Sequence, residues 1–212
     1  MATAADMKQL ENMLRGHVSA MGYPVTEIVL FKLAKERDSE TTAMIERDFV
    51  KPSSMGEGVR RVGWGYSLTA PDTFVIMFSW RKIEDHWAFW QTEAFNPVIN
   101  CIATCFERGR PLVRHYKVVP PGMLSEEYVR LFVWDEGADR SADDIKDKVA
   151  SKARNYKSSK AGFAVDMGET TWCSVLLGYD SEESAKSDEV TPQLETHLLK
   201  LQYIDGADTA TA

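Results

Sequence analysis

Residues 62–80 have the sequence VGWGYSLTAPDTFVIMFSW, in which two runs of aromatic and β-branched residues flank a short segment of turn formers around Pro71. Such a pattern predicts two antiparallel strands joined by a tight connection. Both runs have a counterpart 99 residues further along the chain. The matching segments are 63–65 with 162–164 and 73–80 with 172–179. Because one offset aligns two separate strands, the sequence predicts an internal structural repeat.

The predicted elements follow the same order in both repeats, β-α-β-β-α-β. In the first repeat, strands are predicted at 25–33, 60–68, 73–80 and 111–119, with helices at 39–50 and from about 81 to 106. In the second, strands are predicted at 127–134, 159–167, 171–179 and 199–205, with helices at 141–157 and 181–198. A further helix is predicted at about 3–21, before the first repeat.

This element order is that of the ferredoxin-like unit, in which two helices cover one face of a four-stranded antiparallel sheet. The strand sequence VTEIVLFKL, at 25–33, is apolar on both faces, so the other face of the sheet also needs cover. We therefore predict an α+β fold in which two tandem ferredoxin-like units pack sheet to sheet as an intramolecular barrel. The predicted segments are an N-terminal helix (1–22), an N-terminal half (23–121), a C-terminal half (122–206) and a flexible tail (207–212).

The composition argues against several classes of partner. The formal net charge is −7, whereas nucleic-acid binding relies on clustered Lys and Arg. No apolar run approaches the roughly 20 residues that span a bilayer, and the N-terminus lacks the features of a signal peptide. The three cysteines include two, Cys101 and Cys105, that are spaced to share one face of a helix, and so sparse a set fits a reducing compartment. We expect a soluble, cytoplasmic protein that binds neither nucleic acid nor membrane.

Familiar catalytic and cofactor-binding motifs are missing from the sequence. It contains no GxSxG, GxxxxGK[ST], GxGxxG or HExxH motif, so serine-hydrolase chemistry and nucleotide binding have no local support. No cluster of Cys and His supplies the ligands that a metal site requires. The sequence therefore predicts no cofactor and no metal.

Four stretches carry a family resemblance: EIVLFKL, VGWGYSL, TFVIMFSW and EDHWAFW. Together they resemble the dimeric α/β-barrel superfamily, which includes antibiotic-biosynthesis monooxygenases and polyketide cyclases, and in particular its tandem fungal members. The resemblance implies a pocket between the helix pair and the sheet, used on flat polycyclic or polyketide substrates without metal or flavin. It covers residues 25–119 better than residues 127–205.

Two branches of this superfamily use residues that the chain lacks. The heme-degrading branch has a strand-end tryptophan like Trp80, but its heme-ligating histidine would align near Ile99. The plant polyketide cyclase branch uses two histidines that would align near Glu27 and Phe95. Heme is therefore not expected, and the catalytic pair of those cyclases does not carry over.

His86 and Glu27 are the candidate catalytic residues. On a helix, Ile83, Trp87, Trp90 and Ala94 would form the central apolar stripe, with His86 at its edge, where one nitrogen could reach a cavity. Glu27 lies in an apolar strand, where burial would raise its pKa. The alternatives are a structural histidine near the helix start and a solvent-exposed glutamate at the strand start.

Aromatic and basic residues of the N-terminal half are the candidate substrate-binding group, although rings at such spacing most often belong to an apolar core. At the offset of 99, the second half has Ala185 where the first has His86. We therefore expect the working cavity in the N-terminal half. The candidates are Trp64, Tyr66, Trp80, Trp87, Phe89, Trp90, Arg114 and Tyr116.

Three hypotheses about function follow. The first is a cofactor-independent enzyme of secondary metabolism, a lyase or isomerase that moves a proton on a flat aromatic or polyketide-like molecule. The second is a cofactor-free monooxygenase, in which the same carbanion reacts with oxygen. The third is a non-catalytic protein, either one that binds a small hydrophobic ligand or responds to stress, or a structural barrel with a filled core. The repeat predicts a monomer with an internal pseudo-dimer, and association through the outer helices would give a homodimer.

Overall fold

The computed structural model describes residues 16, 18–109, 111–137, 140–188 and 195–208. Within them the chain forms eight strands, each within four residues of a predicted strand at both ends. They are β1 (Val25–Lys32), β2 (Val59–Ser67), β3 (Thr73–Trp80), β4 (Leu112–Val119), β5 (Tyr128–Asp135), β6 (Ser158–Ala164), β7 (Trp172–Tyr179) and β8 (Glu195–Asp205).

The strands close into one antiparallel barrel in the order β1-β3-β2-β8-β5-β7-β6-β4. Each half contributes four neighbouring strands in the same internal order, β4-β1-β3-β2 and β8-β5-β7-β6. Two hydrogen-bonded seams join the halves, β2 with β8 and β4 with β6. The predicted fold is confirmed, since two ferredoxin-like units form one barrel within a single chain.

The α-helical segments of the described residues lie outside the barrel. They are α1 (Ser39–Ile45), α2 (Lys51–Ser54), α3 (Ile83–Phe89), α4 (Asn96–Cys105), α5 (Ala142–Ala150) and α6 (Glu182–Ser187). A π-helical stretch, Glu46–Val50, joins α1 to α2. In this part of the chain no helix has the length and apolar character needed to cross a lipid bilayer.

Four predicted helices need correction. The helix expected at 141–157 ends at Ala150. The helix expected at 81–106 is divided into α3 and α4, because Pro97 lacks the amide hydrogen of a continuous helix and instead begins a new one. The helix expected at 181–198 ends at Ser187, and β8 has already begun at 195. Most of the N-terminal helix falls outside the described residues, but its expected end is wrong, since Val18–Ala20 is a 3-10 turn.

Strand alternation separates an inner core from two outer ones. In β1, Ile28 and Leu30 belong to the core inside the barrel, whereas Val29 and Phe31 pack under the helices of the N-terminal half. A third core lies under the helices of the C-terminal half. The strands are apolar on both faces because each one contributes to two cores.

Candidate active site

Strand pairing brings Glu27 and His115 together on the helix-covered side of the sheet. The two residues are direct partners across β1 and β4, and directly opposed residues place their side chains on the same face. That face packs under the helices of the N-terminal half, so Glu27 is only 4% exposed and His115 is fully buried. The pairing therefore places a carboxyl and an imidazole side by side in an apolar core.

His86 reaches the same place from helix α3. It lies one turn after Ile83, the first residue of the helix, and both side chains are buried against the sheet. The Nδ1 atom of His86 is 2.8 Å from Nε2 of His115, a hydrogen-bond distance. The ring of Trp80 stacks on His86 at 4.8 Å between centroids, and Trp90 meets it edge-on at 4.5 Å. These contacts fix the orientation of the imidazole.

Asp166 extends the cluster across the seam between β4 and β6. It follows β6 of the C-terminal half, yet its two carboxylate oxygens contact His115 of the N-terminal half. The backbone amide of His115 donates to Oδ2 at 2.7 Å, and Nδ1 of His115 lies 2.8 Å from Oδ1. Asp166 is fully buried. Its carboxylate therefore orients the His115 ring and supplies a negative charge beside it.

Glu27 lies at the other end of this cluster. Its Oε2 atom accepts a hydrogen bond of 2.9 Å from the indole nitrogen of Trp80. The same oxygen is 3.6 Å from Nε2 of His86, which is longer than a normal hydrogen bond. We refer to Asp166, His115, His86 and Glu27 as the proton chain. Among the imidazole nitrogens of the proton chain, Nε2 of His86 therefore has the longest distance to its nearest partner in the cluster.

The surroundings push the pKa values of the two histidines apart. Burial lowers the pKa of His115, but the charge and hydrogen bond of Asp166, together with Glu27, outweigh burial, so its pKa is raised above the ordinary 6.5. Burial and the neighbouring His115 both hold the pKa of His86 well below 6.5. Burial raises the pKa of Glu27, although His115 and the Trp80 indole oppose this effect. A cation is therefore favoured on His115 and disfavoured on His86.

The proton chain has two protonation states, one before and one after His86 takes up a proton. When His115 is neutral, its Nε2 accepts from Nδ1 of His86, and Nε2 of His86 is an unprotonated base. When His86 takes a proton on Nε2, it passes the proton on Nδ1 to His115, and Asp166 stabilises the new cation. The geometry thus supports a general base whose charge is transferred to a neighbouring residue.

The same residues also bear on metal binding. Glu27, His86 and His115 each offer one ligand atom, and these atoms lie within 4.8 Å of one another. The sequence had shown no such cluster, because strand pairing and a helix bring the three residues together from distant positions. The two imidazole nitrogens, however, are at hydrogen-bond distance from each other. The arrangement therefore fits a chain of hydrogen bonds.

The predicted aromatic residues share the helix-side core with the proton chain. Trp64, Trp80 and Phe89 are buried there, and Tyr66, Trp87 and Trp90 pack partly buried against it. The expected stripe of α3 needs correction, because the helix ends at Phe89 and leaves Ala94 exposed. The buried residues of α3 are instead Ile83, Asp85, His86 and Phe89.

Arg114 and Tyr116 lie on the other side of β4. Tyr116 belongs to the core inside the barrel and is fully buried. Arg114 forms an ion pair of 2.7 Å with Glu169, and its guanidinium lies 3.7 Å from the ring centre of Trp172. The structure therefore does not bring these two candidates together with His86, because they alternate with His115 along the strand.

The corresponding position of the C-terminal half has different chemistry. Strand pairing places Arg130 opposite Leu177 and Leu198, as Glu27 lies opposite Phe78 and His115. Leu198 thus takes the place of His115, Ala185 that of His86, and Tyr179 that of Trp80. The guanidinium of Arg130 donates to the carbonyl of Ala185. The histidine pair therefore occurs at this position in the N-terminal half alone.

Two cavities of the described residues lie away from the proton chain. One, of about 250 Å³, is at a mouth of the barrel and includes His197 and Leu112. The other, of about 310 Å³, lies beside α4 and includes Cys101. Neither is lined by a predicted substrate-binding residue. Neither cavity is therefore the working cavity that was expected among the aromatic residues of the N-terminal half. The rings of Trp80 and Trp90 pack directly on His86.

Sequence analysis named His86, Glu27 and Trp80 but missed His115 and Asp166 as members of the cluster. His115 and Tyr116 alternate along β4, so only one of them can face the helices. The pairing of His115 with Glu27 across β4 and β1 gives that face to His115. Asp166 has no such signal, because its contact depends on the seam between the two halves. Their roles remain predictions.

Solved structures with similar folds were found for most of the chain. A proposed monooxygenase from Lactobacillus acidophilus matches with a TM-score of 0.59 and 11% identity over 86% of this chain and 96% of its own. A second, from Fusobacterium nucleatum, has a TM-score of 0.60 and 11% identity over 88% and 95%. An anthrone oxidase-like protein has a TM-score of 0.64 and 11% identity over 88% and 94%.

Neither a protein-family model nor a curated protein sequence matches the chain. Identity of 11% with the solved structures establishes the fold alone. That fold agrees with the resemblance in sequence and with the closed barrel of two ferredoxin-like halves. The chain thus shares the fold of these solved structures, with both ferredoxin-like halves of the barrel in one polypeptide.

Proposed function

We propose that this protein is a cofactor-independent enzyme that moves a proton on a flat aromatic or polyketide-like molecule, as a cyclase, dehydratase or isomerase of secondary metabolism. One observation carries the proposal: a buried hydrogen-bonded chain from Asp166 through His115 ends at Nε2 of His86. Histidine titrates near neutral pH, and a fixed partner on one nitrogen leaves the other for the substrate.

The proposed step is removal of a proton from a carbon next to a carbonyl group. The C–H electron pair becomes an enolate, the proton binds to Nε2 of His86, and the proton on Nδ1 moves to His115. The cation on His115 is held beside Asp166 at 2.8 Å. Return of the proton to another atom of the substrate completes an isomerisation, and loss of hydroxide as water completes a dehydration.

Access to His86 would require movement of an aromatic ring. Trp90 covers the imidazole edge-on and is itself only partly buried. It belongs to the short segment between α3 and α4, where its side chain is not locked into a continuous helix. We propose that a flat substrate displaces the Trp90 ring and stacks in its place, since one aromatic face can substitute for another.

The anthrone oxidase-like structure favours a second candidate, a cofactor-free monooxygenase. Its first step would be the same deprotonation. The carbanion would then transfer electrons to dioxygen, one oxygen atom would enter the substrate, and the other would leave as water. The filled site favours a third candidate, a non-catalytic protein whose histidine pair is structural, either a structural barrel or a binding protein.

Deuterium exchange separates these candidates. The protein would be incubated under nitrogen in heavy water with anthrone and related aromatic ketones, and deuterium uptake at the carbon acidified by the carbonyl, which in anthrone is the methylene across the central ring, would be followed by mass spectrometry. We expect exchange with the wild type and its loss in His86→Gln, while quenching of tryptophan fluorescence shows that the ligand still binds. The matched control is His197→Gln, a histidine at the barrel mouth, which should exchange as the wild type does.

Exchange that is equally fast in His86→Gln would remove His86 from the mechanism. Binding without exchange in the wild type would support the binding protein. If exchange is observed, admission of oxygen distinguishes the proton-transfer enzyme from the monooxygenase, because only the monooxygenase consumes oxygen. Addition of a chelator should leave exchange unchanged, and a loss of exchange would indicate a metal.

A further inference from the structure

Three sulfur atoms that are not part of the proton chain lie together between α1 and α4. Cys101 and Cys105 are one turn apart on α4, so both thiols point from the same face of the helix. Their sulfur atoms are 3.9 Å apart. The thioether of Met44, on α1, lies 3.5 Å from the sulfur of Cys105. Two thiols and one thioether therefore occupy a single small volume.

The neighbourhood holds these groups in place. Cys101 and Cys105 are 3% and 2% exposed. The backbone carbonyl of Met44 also contacts the Cys101 sulfur at 3.9 Å. The ordinary explanation is that buried cysteines pack as small apolar side chains. Cys173 illustrates that case, since it is buried in the C-terminal half and its recorded contact is with a backbone carbonyl.

The two distances from the Cys105 sulfur to the other two sulfur atoms are close to those of a three-coordinate metal site. Sulfur ligands about 2.3 Å from a metal, arranged in a plane, would be about 4 Å from one another. The distances of 3.9 Å and 3.5 Å are close to this value. Thiolate together with thioether is the ligand set that monovalent copper prefers, whereas structural zinc is bound by Cys, His and carboxylates.

We propose that Met44, Cys101 and Cys105 bind one monovalent copper ion. A cavity of about 310 Å³ gives the ion a route to this site, because it is lined by two of the three ligands. Asp48 also lines this cavity, and its carboxylate is paired with the guanidinium of Arg47. The complete lining is Met44, Asp48, Pro97, Asn100, Cys101 and Thr104.

Binding would release protons. Burial raises the pKa of Cys101 to about 12 and also raises that of Cys105, so both thiols are protonated in the free protein at neutral pH. Each thiol releases one proton to solvent when it becomes a thiolate ligand, and the thioether releases none. The copper ion keeps its oxidation state. The apparent affinity therefore increases with pH.

Competition with bicinchoninate, which forms a coloured complex with monovalent copper, tests this proposal. The reduced full-length protein would be titrated under nitrogen, and we expect it to withdraw one copper ion per chain from the chelator. Cys101→Ser and Cys105→Ser should each weaken binding by more than about 100-fold, and Met44→Leu by a smaller factor. Cys173→Ser, the matched control, should bind copper as the wild type does.

Equal affinity of Cys101→Ser and Cys173→Ser would overturn the proposal, as would the failure of the wild type to compete. Far-ultraviolet circular dichroism of each variant shows whether the fold is kept. If a serine variant does not fold, X-ray absorption of the copper-loaded wild type decides the question. Two or three sulfur neighbours near 2.3 Å would support the site, whereas nitrogen or oxygen neighbours would refute it.

Discussion

At the scale of single residues, the charge on each histidine is set by its neighbours. Two imidazoles at 2.8 Å cannot both be cations without strong repulsion. Asp166 contacts His115 but not His86, and this asymmetry raises the pKa of His115 while the pKa of His86 is lowered. The resting proton is therefore expected on His115, and the chain becomes a base at His86 only when His115 is neutral.

Asp166→Asn tests this dependence through the pH profile of deuterium exchange. In the wild type the exchange rate should rise with pH as His115 loses its proton, at a pKa above 6.5. Removal of the Asp166 charge lowers the pKa of His115, so the rise should move to lower pH. A structural role alone would reduce the rate without moving the profile. An unmoved midpoint would contradict the role assigned to Asp166.

His86→Gln should change how stability depends on pH. The pKa of His86 is lowered in the folded state, so between pH 7.5 and 5.5 only the unfolded chain takes up this proton, and stability falls as pH falls through 6.5. That effect amounts to about 1.4 kcal/mol over this interval. Urea unfolding at both pH values should show the wild type losing about this much relative to His86→Gln. Parallel losses in both proteins would show that His86 titrates normally.

At the scale of elements, strands β2 and β8 approach each other at Gly65 so closely that a side chain at this position would clash with the backbone of β8. A methyl group at Gly65 would meet the backbone carbonyl of Lys200, on β8, at 2.1 Å. At Gly162, on the other seam, it would meet the carbonyl of Lys117 at 2.3 Å. Backbone atoms cannot move aside as the end of a side chain can, so both seams need glycine at these positions.

Gly65→Ala should therefore destabilise the barrel by about 2 to 3 kcal/mol, as overpacking does. Gly63→Ala is the matched control on the same strand and face, where the nearest atom is the methyl end of Met123. It should cost less, because the side chains that the methyl group would meet, those of Met123 and Tyr203, can shift more readily than a backbone carbonyl. Thermal and urea unfolding of both variants measure the difference. Equal costs would mean that close approach of β8 is not what Gly65 provides.

The sequence predicted the elements better than their contacts. Hydrophobic periodicity and the offset of 99 identified every strand of the described residues, because both signals depend on neighbours in the chain. The break between α3 and α4 was missed, although Pro97 was a local signal for it. The position of Asp166 beside His115 could not be predicted, since it depends on pairing between β4 and β6, which is set by closure of the whole barrel.

At the scale of the whole molecule, the proton chain requires both halves. Three of its members belong to the N-terminal half, but Asp166 reaches His115 across a seam. Each half alone would expose its inner sheet face and two strand edges, which favours association with another sheet. The C-terminal half thus completes the site through Asp166. At its own corresponding position it has Arg130, Ala185 and Leu198 in place of Glu27, His86 and His115.

Expression of residues 23–121 and 122–206 as separate chains should show this dependence. We expect the two chains to associate when they are produced together, because the β2–β8 and β4–β6 seams can form between molecules. The first chain alone should form dimers or aggregates. Size-exclusion chromatography with light scattering measures both outcomes. A folded monomer of residues 23–121 would contradict the requirement for a closed barrel.

Nitrogen NMR of the protein with labelled histidines tests the proton chain most directly. At pH 6.5, which is below the raised pKa of His115 and above the lowered pKa of His86, we predict that most His115 rings carry protons on both nitrogens and that His86 is neutral. A coupling through the hydrogen bond should link Nε2 of His115 to Nδ1 of His86. Asp166→Asn should remove the excess charge from His115. Two histidines that titrate independently near 6.5, with no coupling between their rings, would contradict the account.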